Sequence, residues 1–333
     1  MLVRLIYPEN QNDIFKQVPE YKGGDTAKIG NIIFTTKPVD EADLAVVINY
    51  SKENIKMRAK ELWIFHQKPG NYRLFGHWQK AYPYADRVFG SWHRQKNERY
   101  EGALKNLIKT QSSVLWDCKM GYDFYKTFDD TKKNDTEKPL TITAITSTKK
   151  RRDSYGKKQK LEFLHELKHR LKKENIDLKI KSKVKSKDEI LAASKYTICL
   201  EDAYEPDYFS EKLTDAFLLG AMPIYFGTQN IFEYFPKGSV VLLEDLDVEK
   251  AAGIIKYTIH NNLYEKNKPA LQSAKNMVLN RYNLFMTIVE KAAEYGISKK
   301  PLKEIEIIKR KDKRNLLVSD IQNKIKGIKT GRI

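Results

Sequence analysis

Between Tyr196 and Gly227 the chain reads YTICLEDAYEPDYFSEKLTDAFLLGAMPIYFG, and its polar residues fall where an apolar strand stops and an apolar helix starts. Glu201 and Asp202 are a carboxylate pair directly after the apolar run. An acidic, aromatic loop follows, with Tyr204, Glu205, Asp207 and Tyr208, and leads into Ser210. Beyond it Leu213, Ala216, Phe217 and Gly220 have the i, i+3, i+4, i+7 spacing of a buried helix stripe. A serine before such a stripe suits an N-cap, and the backbone N–H groups behind it offer a place for an anion such as a diphosphate. Lys212 lies in the first turn, where the helix dipole disfavours a cation, so a bound anion would compensate it. The same residues also fit an ordinary capped helix, with Glu211 as a first-turn acid and Lys212 on a solvated surface.

The elements that must position these residues alternate. In the N-terminal third, LVRLIY, NIIFTTKP, DLAVVINY, ELWIFHQKP and ADRVFGSW read as strands separated by polar stretches, and near-continuous runs such as LAVVI fit a parallel sheet covered on both faces. A polar stretch, GYDFYKTFDDTKKNDTEKP, reads as a linker without a period that could bury anything. A second alternating set follows: strand TITAITS, helix KLEFLHELKHRLKKE, strand DLKIKS, helix KDEILAAS, strand YTICLED, helix SEKLTDAFLLG, strand AMPIYFG, helix NIFEYF and strand SVVLLED. The helix VEKAAGIIKYTIHN and one longer helical segment over about 269–295 close it. The fold class is α/β, and the expected organisation is an N-terminal Rossmann-like domain over 1–122, a linker over 123–139, a C-terminal domain over 140–297 and a basic tail over 298–333. In such sheets ligands sit at the carboxyl ends of the strands, which is where Ser210 falls. GxGxxG and GxxxxGK[ST] turns are absent from the sequence, which argues against a dinucleotide dehydrogenase or a P-loop enzyme.

Composition narrows the classes further. With 333 residues, two lobes are the better prior, and 41% hydrophobic residues suffice for packed cores. A net charge of +18 attracts polyanions, but the excess of Lys over Arg disfavours specific base reading, and RRM, KH and zinc-finger signatures are missing. The two cysteines, Cys118 and Cys199, read as reduced thiols. MLVRLIYPEN reads as a first strand rather than a signal peptide, and every apolar run stays short of the roughly 18 residues a spanning helix needs. A cytoplasmic protein is expected, with the Lys-rich segment from Ser298 either solvated or lying on an anionic membrane surface. The six His do not pair at metal-ligand spacing, and Asp129-Asp130 reads as solvated, so no metal and no cofactor is expected.

The run E-D-A-Y-E-P-D-Y-F-S-E-K-L-x-D-A-F, followed by P-I-Y-F-G, resembles the signature of the α-1,3/4-fucosyltransferase family, glycosyltransferase family 10, of bacterial type. The likeness is close from Glu201 to Lys212 and looser over about 140–290. It implies a GT-B fold of two Rossmann-like domains facing across a cleft, metal-independent inversion, and a nucleotide sugar, usually GDP-fucose, held by the C-terminal lobe. Its acceptor would be a glycan of lipopolysaccharide or capsule type. Carried over, Lys212 would hold the diphosphate, Glu211 would contact sugar or ribose hydroxyls, Tyr208 would line the donor pocket, and Glu201 and Asp202 would occupy the family's Glu-Asn. Asp202 in place of Asn keeps an acceptor and loses a donor.

A second family element is a Ser ending the first C-lobe strand and an Arg opening R-x-x-F-x-x-x-L. Here these are Ser147 and Lys160, with Phe163 and Leu167 completing the helix pattern and Arg151 and Arg152 as further cations. A cation there would stabilise the leaving diphosphate, although a solvated basic helix face fits the same residues. The family's general base is a Glu in the N-terminal lobe. Aligning ELWIFHQKPGNY puts Gln67 at that place, which makes the neighbouring His66 the expected base and leaves Asp86, Glu98 and Glu101 as other acids. The substitutions at Asp202, Lys160 and Gln67 leave room for another nucleotide sugar, and the basic charge for a nucleic-acid-binding protein.

Overall fold

Continuous apolar strands must be covered on both faces, and the chain forms two sheets of such strands. The computed structural model describes residues 1–8, 14–68, 84–91, 106–128, 138, 140–146, 156–182 and 184–309. The first sheet comprises β1 (Leu2–Ile6), β2 (Thr26–Ile29), β3 (Ile32–Thr35), β4 (Glu41–Ile48), β5 (Ile55–Phe65), β6 (Arg87–Gly90) and β7 (Leu107–Lys109), in the order β2-β3-β1-β4-β5-β6-β7. Along this order all neighbours are parallel except the β2–β3 hairpin. Leu44 to Ile48 are buried throughout, as the continuous apolar run requires.

After α1 (Tyr122–Thr127), the second sheet is built from β8 (Leu140–Thr146), α2 (Lys157–Lys172), β9 (Leu178–Ser182), α3 (Lys187–Ala192), β10 (Ser194–Leu200), α4 (Glu211–Leu218), β11 (Met222–Phe226), α5 (Ile231–Tyr234) and β12 (Val241–Leu242). The strand order is β12-β11-β10-β8-β9 and every pairing is parallel. Helices α6 (Val248–His260), α7 (Leu263–Lys266), α8 (Lys268–Asn280) and α9 (Leu284–Glu294) follow.

Four features differ from the sequence reading. The expected linker opens with α1, whose Tyr122 and Tyr125 are buried in the core of the second lobe; the i, i+3 aromatic pair is masked by its polar neighbours Asp123 and Lys126 and the polar run that follows. The single long helix expected near the C-terminus is two, because the Asn283 side chain accepts from Phe285 N–H at 2.9 Å and caps a new start. Helix α9 does not belong to the second lobe's core: Leu284, Phe285, Ile288 and Ala292 pack with Phe15, Phe34 and Trp63 of the first, and Phe285 meets Phe34 edge-on at 5.1 Å. The segment read as a basic tail from 298 contains β13 (Lys303–Ile307), antiparallel to the first half of β5, with Ile305 and Ile307 buried. Lys300 pairs with the buried Glu61, which also accepts from Trp63 Nε1 and Arg87. Residues 310–333 lie outside the described residues, as do Asp129-Asp130 of the linker. Cys118 and Cys199 are free thiols, as expected.

Because α9 supplies the first lobe's core, Phe285→Ala is expected to cost about 3–5 kcal/mol. Urea unfolding followed through Trp63, which is fully buried beside this helix, reads the loss as an earlier midpoint of the N-lobe transition.

Candidate active site

In the second sheet, numbered from its own first strand, the order is 2-1-3-4-5 reversed, and the chain changes direction between β8 and β10. Right-handed crossovers then carry α2 and α4 to opposite faces and leave a crevice at the carboxyl ends of these two strands. Lys160, in the first turn of α2, and Lys212, in the first turn of α4, both reach this crevice. Gly156 enters α2 in a left-handed conformation, φ +82°, and gives its N-terminus no side-chain cap.

Glu201 organises the crevice. Its N–H donates to Phe226 O at 2.8 Å, extending the β10–β11 ladder by one residue, and its side chain is enclosed. One carboxylate oxygen accepts from Ser210 N–H at 2.8 Å and the other from Ser210 Oγ at 2.7 Å. Ser210 Oγ in turn accepts from Lys212 N–H at 3.3 Å, so Ser210 is the N-cap that its position predicts. Burial raises the Glu201 pKa, against the opposing pull of Lys212 and Ser210. Gly227 is obligatory beside it: a Cβ there would stand 2.3 Å from Tyr225 Oη and 2.7 Å from Glu201 Cγ.

Asp202 projects outward, with its side chain 51% exposed, and joins the two lysines. One oxygen pairs with Lys160 Nζ and the other with Lys212 Nζ at 3.1 Å. Lys160 Nζ also donates to Glu201 O at 3.1 Å, and Lys212 Nζ stands 3.7 Å from Glu201 Oε2. Burial opposes the Asp202 charge, but Lys212 and Lys160 outweigh it and hold the pKa down to about 2. Lys160 is shifted down, chiefly by burial, while the carboxylates Glu201, Asp202 and Glu211 overcome burial to raise Lys212.

The loop from 203 to 209 is held from the far side by residues the sequence reading missed. Asp207 adopts φ +61°, its N–H donates to Asn230 Oδ1 at 3.0 Å, and its carboxylate accepts from Asn230 Nδ2 at 2.7 Å and Tyr234 Oη at 2.5 Å. Asp tolerates the left-handed region better than most residues, and the fixed Asn230 and Tyr234 over-determine it. Asn230, just ahead of the α5 pattern, was the available signal. Tyr208 is buried, its phenol pushed up by burial and by the carboxylates around it. Tyr204 stays exposed and stacks on Phe226 at 5.2 Å.

Glu211 is half-buried at the start of α4. Burial works against its charge, but Lys212, Lys187 and Lys68 hold its pKa below the usual value. Lys68 follows β5, so the N-lobe strand end faces this helix start, and Gln111 Nε2 donates to Phe209 O at 3.4 Å between the lobes. The expected base is placed differently. His66 is fully buried, and burial together with Lys68 takes its pKa well below the usual value, so it is a neutral imidazole enclosed by protein rather than a group facing the crevice. Gln67 serves structure, its Nε2 donating to Ser113 O at 3.0 Å and its N–H to Asn49 Oδ1 at 2.9 Å. Asp86 accepts from Leu62 N–H at 2.8 Å and pairs with Lys303. Ser147, Arg151, Arg152, Glu98 and Glu101 lie outside the described residues.

Behind α4 is a second charge cluster that the sequence did not announce, built around one buried carboxylate. Asp215, 1% exposed at its side chain, accepts from Asp117 N–H at 3.3 Å, while Lys187 Nζ lies 3.4 Å from Asp215 and 2.6 Å from Asp117. Burial outweighs Lys187 and raises the Asp215 pKa to about 7. Groups of three or more His, Cys, Asp or Glu arranged to hold a metal ion are absent among the described residues.

Residues 136–266 match the family model for glycosyltransferase family 10 (fucosyltransferase) C-term. A curated alpha-(1,3)-fucosyltransferase FucT of Helicobacter pylori is 34% identical over 83 residues, 24% of this chain and 17% of that protein. Alpha-(1,3)-fucosyltransferase B of Drosophila melanogaster is 30% identical over 93 residues, 28% of this chain and 20% of that protein. The chain thus spans a fifth or less of the length of these relatives. Among solved structures, HepE of Anabaena in complex with UDP superposes with a TM-score of 0.50 at 13% identity, over 90% of this chain and 100% of that one. The two-lobed α/β arrangement is therefore of GT-B type.

Two outcomes follow from this geometry. The raised Asp215 favours the protonated acid in the folded state, so its stabilising effect is complete below the ordinary value of 3.8 and is lost as pH rises through about 7. Thermal melts across that window should show wild type losing stability and Asp215→Asn showing a flatter profile. Gly227→Ala forces Tyr225 or Glu201 to move, at a cost of about 1–3 kcal/mol measured by chemical denaturation.

Proposed function

Since the chain belongs, through residues 136–266, to glycosyltransferase family 10, we propose that it transfers L-fucose from GDP-fucose to a hydroxyl of a glycan acceptor, with inversion and without a metal ion or cofactor. The convergence of Lys160 and Lys212 at the switch point, beside the N-terminus capped by Ser210, carries the reading. A diphosphate placed there meets two ammonium groups beside the positive, N-terminal end of α4. As the acceptor oxygen bonds to the anomeric carbon, the bond from that carbon to the phosphate oxygen breaks and GDP leaves with the electron pair. Negative charge grows on the leaving oxygen, and Lys212 and Lys160 stabilise it there.

Glu211, kept ionised by the surrounding lysines, accepts hydroxyl protons in hydrogen bonds from the bound sugar. Tyr208 and Glu201 act from behind, Glu201 by fixing Ser210 and with it the helix start. The acceptor's proton leaves to a base on the N-lobe side of the crevice, a role the enclosed His66 and the amide Gln67 do not fill in this arrangement. An acceptor of lipopolysaccharide or capsule type, at the cytoplasmic face of a membrane, agrees with the net charge of +18. Among the described residues, helices long and apolar enough to cross a membrane are absent.

GDP or GDP-fucose at tens of micromolar should raise the melting temperature, and Lys212→Ala should remove the shift and lower kcat/KM by on the order of 10²-fold. A shift with UDP-sugars alone would move the donor assignment. A shift with oligonucleotides alone would sink the enzyme reading.

A further inference from the structure

The lysines proposed to hold the donor are not idle. Asp202 places one carboxylate oxygen on Lys160 and the other, at 3.1 Å, on Lys212. Neither lysine is highly exposed, at 14% and 29% of the side chain, whereas Asp202 is half-exposed at 51%. The carboxylate therefore sits on the solvent side of two inward-held ammonium groups, in the path by which any other anion reaches them. Its charge is secure in this position, because Lys212 and Lys160 outweigh burial in keeping it ionised.

We propose that Asp202 is an internal counter-anion that occupies the diphosphate-binding lysines of the empty site and must swing out when a nucleoside diphosphate binds, which sets donor affinity and promotes release of the product diphosphate. This rests on the function proposed above. Three observations separate it from a purely structural ion pair. Glu201, not Asp202, carries the hydrogen bonds that fix the helix start. Asp202 makes its side-chain contacts with the two lysines, and its exposure leaves room to rotate toward water. Together Asp202 and Glu201 match Lys160 and Lys212 charge for charge, so a diphosphate entering without displacement of Asp202 would meet a balanced cluster instead of two unspent cations.

Asp202→Asn keeps the shape and removes the charge. The ligand-free variant should melt earlier than wild type, because both lysines lose their nearest carboxylate, yet it should bind GDP and inorganic pyrophosphate at least about ten-fold more tightly by calorimetry. Product inhibition by GDP should strengthen in step. A role confined to stability would lower the melting temperature and leave affinity unchanged or weaker. Binding of GDP by wild type with equal or weaker binding by Asp202→Asn overturns the counter-anion and leaves the proposed function standing. Failure of both proteins to bind either ligand overturns both. The effect on inorganic pyrophosphate confirms that the displaced interaction is with the phosphates and not with the base or sugar.

Discussion

The buried carboxylate of Glu201 is the constraint on which the rest of the site depends. It is held at the end of β10 by a ladder hydrogen bond to β11 and accepts two bonds from Ser210 nine residues later. An enclosed carboxylate is tolerated only where such donors replace water, so Ser210 cannot move away without stranding a charge. Ser210 in turn starts α4, and the start of α4 sets Glu211 and Lys212. Gly227 completes the arrangement from the next strand, since a side chain there would occupy the space of Glu201 and Tyr225. A short run of sequence thus specifies a rigid floor, with charged groups of graded exposure above it: Glu201 inside, Lys160 and Lys212 between, Asp202 at the surface.

Behind that floor, the cluster of Asp117, Lys187 and Asp215 ties α4 to the segment that joins the lobes. Asp215 lies one turn along from Glu211 on the same helix, the charge of Glu211 adds to the rise of the Asp215 pKa, and both carboxylates raise Lys187, which stands between them in the same field. The acid most easily neutralised near pH 7 is therefore not in the crevice but on the back of the helix that bears Lys212.

Most of the sheets was legible because parallel strands buried on both faces must be continuous apolar runs, and LAVVI or YTICL could hardly be anything else. The N-cap at Ser210 was legible for the same local reason. What escaped were pairings between distant segments. KEIEI reads as charged tail until β5 offers an edge that buries Ile305 and Ile307. LFMTIVEKAAE shows its stripe plainly, but nothing in its own residues says which lobe receives it. The meeting of Lys160 with Asp202 needs the strand order that puts β8 beside β10, and the enclosure of His66 needs β6, whose Phe89 O accepts from His66 N–H at 2.9 Å. A histidine after an apolar strand looks the same in sequence whether the strand ends at a surface or inside.

The return of α9 and β13 to the first lobe means that the chain crosses between lobes twice, and the two crossings touch. Val114 N–H donates to Tyr282 O at 3.3 Å and Val114 bridges Asn283 in parallel. Asn283 Nδ2 donates to Gln17 O at 2.7 Å, and Ser113 Oγ meets Thr287 Oγ1 at 2.6 Å. Two adjacent hydrogen-bonded crossings oppose sliding and twisting more than they oppose rotation about the line they define, the motion that would open or close the crevice. Gln111, close in sequence to the first crossing, meets Phe209, and Lys68 acts through its charge on Glu211 from the other lobe. Rotation about the crossings therefore changes the separation between Lys68 and Glu211 while leaving the floor built on Glu201 intact, since every bond that holds Glu201 lies within one lobe.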